Sequence, residues 1–142
     1  RLSFGIRRDR LAQVVSEARA SGAEVVVLLS HNGFDVDRQI AADVSGIDVL
    51  LTGHTHDAIP EPVQVGQTFL IASGSHGKFI SRVDLEVDGG AVKGLSHRLI
   101  PIFSDVIAPD PEMAALVEET RAPFAAEMSE VLGRTEGLLY RR

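Results

Sequence analysis

Two short apolar segments, each followed directly by polar residues that include histidine, constrain this chain more than any other feature. The first covers residues 24–29, is rich in valine and leucine, and continues as Ser-His-Asn-Gly at residues 30–33. The second covers residues 47–51 and continues as Thr-Gly-His-Thr-His-Asp at residues 52–57. Apolar runs of this length without polar alternation are typical of strands buried on both faces of a sheet. We therefore predict two buried strands with histidines at their carboxyl ends.

The segments around these runs predict an α/β fold. Apolar residues recur at helical spacing between residues 7 and 20, and residues 37–44 can form a short helix between the two runs. A strand, a helix and a second strand make a βαβ unit, and ligands of such folds gather beyond the carboxyl ends of the strands. His31, His54 and His56 fall at such ends, so we expect the functional site there.

The second half of the chain predicts antiparallel strands followed by a long helix. Strands are expected at residues 68–72, 79–87 and 91–102, and Asp-Gly-Gly at residues 88–90 predicts a tight turn that pairs the last two as a hairpin. Pro111 then opens a helix with an apolar stripe over residues 113–131, which we expect to face a core. Pro123 lies inside this helix and should kink it.

Composition excludes several classes of function. The net charge is -6, with 14 basic residues against 20 acidic ones, which argues against a nucleic-acid-binding surface. The longest apolar run, Val25 to Leu29, is too short to cross a bilayer, so we expect no membrane span. There are no cysteines, so a metal would have to be bound by His, Asp, Glu or Asn. The chain begins at Arg1 and ends at Arg142 without a capping element, which leads us to expect a piece of a longer protein.

The histidines themselves leave two interpretations open. In extended backbone His54 and His56 point to opposite sides, so they can reach two different metal ions, or a single ion from a curved loop. Imidazole nitrogen suits zinc and similar first-row ions when no thiolate is present. The alternative is that the two loop histidines are merely exposed and that His31 is a packed residue at a strand end.

The order of these motifs resembles a known family. The Ser-His-Asn-Gly motif, the Gly-His-Thr-His motif and a third, Gly-Ser-His-Gly-Lys at residues 74–78, are similar to the second half of a calcineurin-like metallophosphatase domain of the 5′-nucleotidase type. The resemblance covers residues 6–102. It implies an α/β sandwich in which residues 1–105 form the C-terminal half of the metallophosphatase domain. Residues 106–142 would then be a connector helix and the start of a second domain of the 5′-nucleotidase C-terminal type.

Within that superfamily the details most resemble the SoxB family of thiosulfohydrolases, on residues 28–37, residues 53–57 and the closing motif of residues 135–142. That resemblance implies that His31 and His54 bind one metal ion and that His56 binds the other, with two manganese ions, or zinc, as cofactors. It places the bridging Asp, the remaining ligands and the acid-base His before Arg1. No catalytic residue is therefore expected here, and the chain alone should be inactive.

The same resemblance implies a reaction and a partner. A SoxB-like enzyme of the sulfur-oxidation pathway would release sulfate from a cysteine S-thiosulfonate on a SoxYZ-like carrier protein, in the periplasm. A 5′-nucleotidase or another phosphoesterase is the alternative within the same superfamily. A metal-free, non-catalytic binding module is the alternative from a different class.

Four further polar residues have open roles. Asn32 and Asp57 neighbour the histidine ligands and could orient their imidazoles, although capping or turn roles fit equally well. His76 could face the substrate, because the flanking glycines allow close backbone approach, or it could be an ordinary polar turn residue, which we favour. We expect His97 to be structural or to lie on the surface.

Overall fold

The fold was analysed in a computed structural model, which describes residues 5–139. The chain forms two compact units that divide between Phe103 and Ser104. The first unit contains two helices, a four-stranded sheet and a hairpin, and the second is helical.

A four-stranded sheet organises the first unit, in the order β1-β2-β4-β3. Its strands are β1 (Val27–Ser30), β2 (Val49–Thr52), β3 (Val63–Val65) and β4 (Thr68–Ile71). The first, second and fourth strands are parallel, whereas β3 pairs antiparallel with β4. The carboxyl ends of the three parallel strands therefore share one edge of the sheet. The short β3 strand was not predicted from the sequence.

Two helices pack on the sheet and form the core of this unit. The helices are α1 (Arg8–Ala20) and α2 (Phe34–Asp43), both close to the predicted segments, although α2 begins three residues earlier than expected. Apolar residues from both helices, the loop after α2 and strands β2 and β4 form the buried cluster, which consists of Val15, Ile40, Ala41, Val44, Ile47, Leu50 and Leu70.

The prediction that the first strand is buried on both faces was wrong. Val27 and Leu29 are 51% and 81% exposed, and only the alternate side chains of β1 pack towards the core. The physical reason is that Val27 and Leu29 lie on the face of β1 opposite Leu28, and only the Leu28 face packs against the core of the described chain. An apolar run without alternation fits a buried strand by composition, but it does not report whether both faces are covered.

A long antiparallel hairpin follows the sheet, as predicted. It consists of β5 (Phe79–Asp88) and β6 (Ala91–Pro101), joined at Gly89 and Gly90, both of which have positive φ as tight hairpin turns require. Half-buried and exposed residues alternate along β5 as far as Glu86, where the register shifts. Over most of its length β5 therefore has one covered and one solvated face.

The second unit is a helix broken at a proline. It comprises α3 (Pro111–Arg121), a 3₁₀ turn (Ala122–Phe124) that contains Pro123, and α4 (Ala125–Ser129). The Asp110 carboxyl group caps α3 by accepting a hydrogen bond from the Met113 amide at 2.9 Å.

The expectation of a core-facing stripe was wrong for this unit. None of its described residues is buried, and the apolar side chains of the stripe are exposed. Within the described residues of this unit, α3 and α4 are the only α-helices, and neither buries the apolar stripe. Val131 lies beyond the end of α4, and the closing motif of residues 135–142 extends outside the described residues.

The fold class is α/β, as predicted: parallel strands with connecting helices, then antiparallel strands and a helix. No helix within residues 5–139 has the length and the apolar character needed to cross a membrane.

Candidate metal centre

His31 and His54 meet because their strands are neighbours in register. Ser30 at the end of β1 pairs with Thr52 at the end of β2, so the residues that follow these two positions leave the sheet side by side. The centroids of the His31 and His54 rings are 5.3 Å apart, with an interplanar angle of 70°. Two imidazoles bound to one ion at about 2.1 Å have ring centroids roughly 5 Å apart at a tetrahedral angle. The spacing of this pair therefore fits a shared ion.

Gly53 gives the His31 ring the space it occupies. The Gly53 amide donates a hydrogen bond to the Ser30 carbonyl oxygen at 3.0 Å, which holds the two loops together. A Cβ atom at position 53 would lie 2.9 Å from His31 Nδ1, closer than two such atoms can approach. Any side chain at the start of the Gly-His-Thr-His motif would therefore force the His31 ring to shift.

The loop that carries His54 and His56 is attached to α2. The Phe34 amide at the start of that helix donates a hydrogen bond to Thr55 Oγ1 at 3.2 Å, so Thr55 satisfies a free amide of the helix terminus. His54 and His56 both have positive φ, at 79° and 62°. Left-handed backbone costs a non-glycine residue about 1–2 kcal/mol. Such conformations concentrate at functional sites, where the surrounding structure enforces them.

Asp37 is the residue that the sequence interpretation missed. This aspartate of α2 is fully buried, and its carboxyl oxygens accept hydrogen bonds from Ser30 Oγ at 2.6 Å and from Thr52 Oγ1. Those two hydroxyls belong to the last residues of β1 and β2, immediately before the histidine loops. The sequence does contain a signal for its burial. Asp37 lies three and four residues before Ile40 and Ala41, so it shares the apolar face of α2.

A second pair of imidazoles involves His56 and His76. The centroids of these rings are 5.4 Å apart with an interplanar angle of 81°. The Gly74 amide donates a hydrogen bond of 2.6 Å to the carbonyl oxygen of Asp57, which joins the two loops through their backbones. His76 Nδ1 lies 2.8 Å from Ser75 Oγ. The three histidines assigned to metal from the sequence thus fall into two imidazole pairs, His31 with His54 and His56 with His76.

The remaining polar residues with open roles have defined places. Asn32 Nδ2 donates to Ser30 Oγ at 2.8 Å, which connects it to Asp37 rather than to an imidazole. Asp57 contributes its backbone oxygen to the contact with Gly74, and its side chain is exposed.

His97 lies away from the other histidines and has a structural role. It is half-buried, and its two ring nitrogens lie 3.0 Å from the Pro60 carbonyl oxygen and 3.0 Å from Ser81 Oγ. Because a carbonyl oxygen can only accept, Nδ1 carries the proton and Nε2 accepts from Ser81. This contact links the hairpin to the segment before β3, as expected for a structural histidine.

The donor set fits divalent metal ions, but it is incomplete. Within residues 5–139 no group of three or more His, Asp or Glu side chains is placed to hold an ion. The chain offers two imidazole pairs instead, and first-row divalent ions accept imidazole nitrogen readily. A cleft of about 670 Å³ opens beside His31 between the sheet and the hairpin, and its polar lining comes from Ser30, Thr52, Ser73 and Ser81. A larger cleft of about 880 Å³, along the exposed face of α3, contains no histidine and has no relation to this site.

Comparison with known proteins places this arrangement in a family. No family model matches the chain. The solved structure of the sulfate thiohydrolase SoxB from Thermus thermophilus superposes on 87% of the chain with a TM-score of 0.83 and 39% sequence identity. A 5′-nucleotidase precursor from the same organism superposes on 92% with a TM-score of 0.79 but only 19% identity, which supports the fold alone. The 5′-nucleotidase of Diplobatis ommata is 31% identical over 134 residues, which cover 82% of the chain.

The chain spans about a quarter of the length of these relatives, 23% of SoxB and 23% of the Diplobatis nucleotidase. The matched region includes the strand-end motifs that suggested the resemblance, and the α/β fold agrees. This chain belongs to the 5′-nucleotidase superfamily of metallophosphatases, as a member of the SoxB type.

Proposed function

We propose that this chain supplies the histidine side of a two-metal hydrolase centre, with His31 and His54 binding one ion and His56 the other. The observation that carries the proposal is the meeting of His31 and His54 at neighbouring strand ends, 5.3 Å apart, while His56 points to a different partner. This division matches the one that the family resemblance implied. The other ligands and the acid-base residue would come from segments outside the quarter of the relatives' length that this chain spans.

A pair of divalent ions lowers the pKa of a bound water, orients it for in-line attack and stabilises the charge that develops on the leaving oxyanion. The residues of this chain hold and orient such a centre. His31 and His54 present imidazole nitrogen from two adjacent strands, and Gly53 leaves room for the His31 ring. Asp37 holds the ends of β1 and β2 together by accepting hydrogen bonds from Ser30 and Thr52. Thr55 attaches the loop of His54 and His56 to α2.

For the substrate we propose a carrier-bound cysteine S-thiosulfonate, from which the enzyme releases sulfate. The support is the 39% identity to the sulfate thiohydrolase SoxB over most of the chain. A SoxYZ-like carrier protein, two manganese ions and a periplasmic location follow from the same family and belong to the same proposal.

A 5′-nucleotidase activity is the second candidate, because the chain is 31% identical to the Diplobatis enzyme over 82% of the chain's length. Both candidates would use the same histidines. They differ in the product, which is sulfate in one case and inorganic phosphate in the other.

The test uses the complete protein that contains this chain. Purified enzyme is given the thiosulfonated carrier and, separately, a panel of nucleoside monophosphates, and sulfate and phosphate release are measured. We expect sulfate release that disappears after chelation and returns with manganese. Nucleotide hydrolysis without sulfate release would support the nucleotidase instead. Neither activity, with no bound metal, would indicate a non-catalytic binding module.

A further inference from the structure

Three of the five histidines share an unusual backbone conformation. The non-glycine residues with positive φ in residues 5–139 are His54, His56 and His76, and no others. Positive φ is uncommon outside glycine, and it persists only where surrounding structure compensates its cost. Two of the three are metal ligands under the proposed function. The third, His76, shares this conformation with them, whereas the remaining proposed ligand, His31, does not.

The loop of His76 is built to hold it beside His56. Residues 74–77 include two glycines with positive φ, Gly74 at 74° and Gly77 at 66°, on either side of Ser75 and His76. Besides the bond from the Gly74 amide to the Asp57 carbonyl oxygen, Ala58 and Ser73 form an isolated antiparallel bridge. The two loops are thus held side by side by backbone contacts on consecutive residues, and both imidazoles are exposed.

The His56 and His76 rings repeat the geometry of the first pair. Their centroid separation of 5.4 Å is within 0.1 Å of the 5.3 Å found for His31 and His54, and both pairs meet edge to face. That spacing again suits two imidazoles on one ion. Ser75 Oγ lies 2.8 Å from His76 Nδ1, which orients the ring and leaves Nε2 available.

We propose that His76 is a metal ligand and that it binds the same ion as His56. The inference rests on the proposed function, since it assumes that His56 is a ligand. It makes the Gly-Ser-His-Gly loop after β4 a third ligand-bearing loop, beside those after β1 and β2. Each ion then receives two imidazoles from this chain.

The experiment titrates the metal-free complete protein with Co²⁺ and records bound ions, affinity and visible absorption. His76→Asn is the test variant, because asparagine tolerates left-handed backbone and removes only the imidazole. His56→Asn reports on the proposed function, and His97→Gln is the control, since it removes an imidazole outside both pairs. We expect His76→Asn to weaken one of the two Co²⁺ sites at least about tenfold and to change its absorption bands. His97→Gln should leave both sites unchanged.

Two results overturn the inference, and they are distinguishable. If His56→Asn loses an ion while His76→Asn keeps both with unchanged affinity and spectrum, His76 is not a ligand and the proposed function stands. If His56→Asn also retains both ions, the proposed function fails together with the inference. If His76→Asn lowers the unfolding temperature of the metal-free protein, the Co²⁺ titration is repeated with His76→Gly. Glycine adopts the backbone conformation of this position without strain, and the same two outcomes are then compared.

Discussion

Asp37→Asn replaces one oxygen of a fully buried carboxyl group with an amide nitrogen at the point where β1 and β2 end. The carboxyl group accepts from Ser30 Oγ through one oxygen and from Thr52 Oγ1 through the other. The amide can accept only one of these two bonds. Because the hydroxyls precede His31 and Gly53 directly, the loss should loosen both histidine loops as well as the fold.

The expected magnitudes follow from these contacts. A hydrogen bond to a charged group contributes about 1.5–3 kcal/mol, so Asp37→Asn should lower the free energy of unfolding by roughly that amount. Asp37→Ala loses both acceptors and should cost about 3–5 kcal/mol. Substitution of a residue that orients metal ligands lowers metal affinity by about 10- to 100-fold. We therefore expect Asp37→Asn to weaken Mn²⁺ binding by at least about tenfold.

Thr68→Val is the matched control. Thr68 is also buried, and its hydroxyl donates a single bond of 2.7 Å to the Ile47 carbonyl oxygen, at the other end of the sheet from the histidines. Unfolding is followed in chelator, and Mn²⁺ affinity is measured by calorimetry on the complete protein. Thr68→Val should cost about 1 kcal/mol of stability and leave the affinity unchanged. Equal affinities for the two variants would refute the reasoning and make Asp37 a fold contact only.

Three further predictions concern the loops. Gly53→Ala should displace the His31 ring and lower metal affinity at least about tenfold, while the unfolding temperature of the metal-free protein changes little. A measured metal affinity equal to that of the parent would show that the position of this ring is unimportant. Thr55→Val removes the acceptor for the Phe34 amide and should cost about 1 kcal/mol in chemical denaturation, and a cost near zero would show that solvent replaces the cap. His54→Gly should raise the stability of the metal-free protein by up to about 1 kcal/mol while weakening metal binding, and a fall in metal-free stability would contradict the strain at this position.

Much of the fold was readable from local patterns. The βαβ unit and the hairpin turn at residues 88–90 each carry a signal within a few residues, and all of these elements are present. The exposure of Leu29 was not predictable, because an apolar run does not show which face of its strand is covered. The exposed stripe of α3 had the same cause, since helical spacing indicates an apolar face but not what covers it.

The histidines of the site could be predicted from the sequence, but most of the contacts between its side chains could not. The strand-end position of His31 and His54 followed from the βαβ pattern, because neighbouring parallel strands end at one edge. The contact of His56 with His76 depends on a backbone bond between two loops, which no local pattern encodes. Asp37 was missed because a polar residue on an apolar helix face is interpreted as an exception until its hydrogen-bond partners are known.

Metal content of the complete protein tests the central claim most directly. The parent and a variant with His31, His54 and His56 all changed to Ala are purified identically, and bound manganese and zinc are measured by elemental analysis per polypeptide. The claim predicts about two ions per chain in the parent and loss of bound metal in the triple variant. Unchanged metal content in the triple variant, with the fold intact, would contradict the assignment of these histidines as ligands.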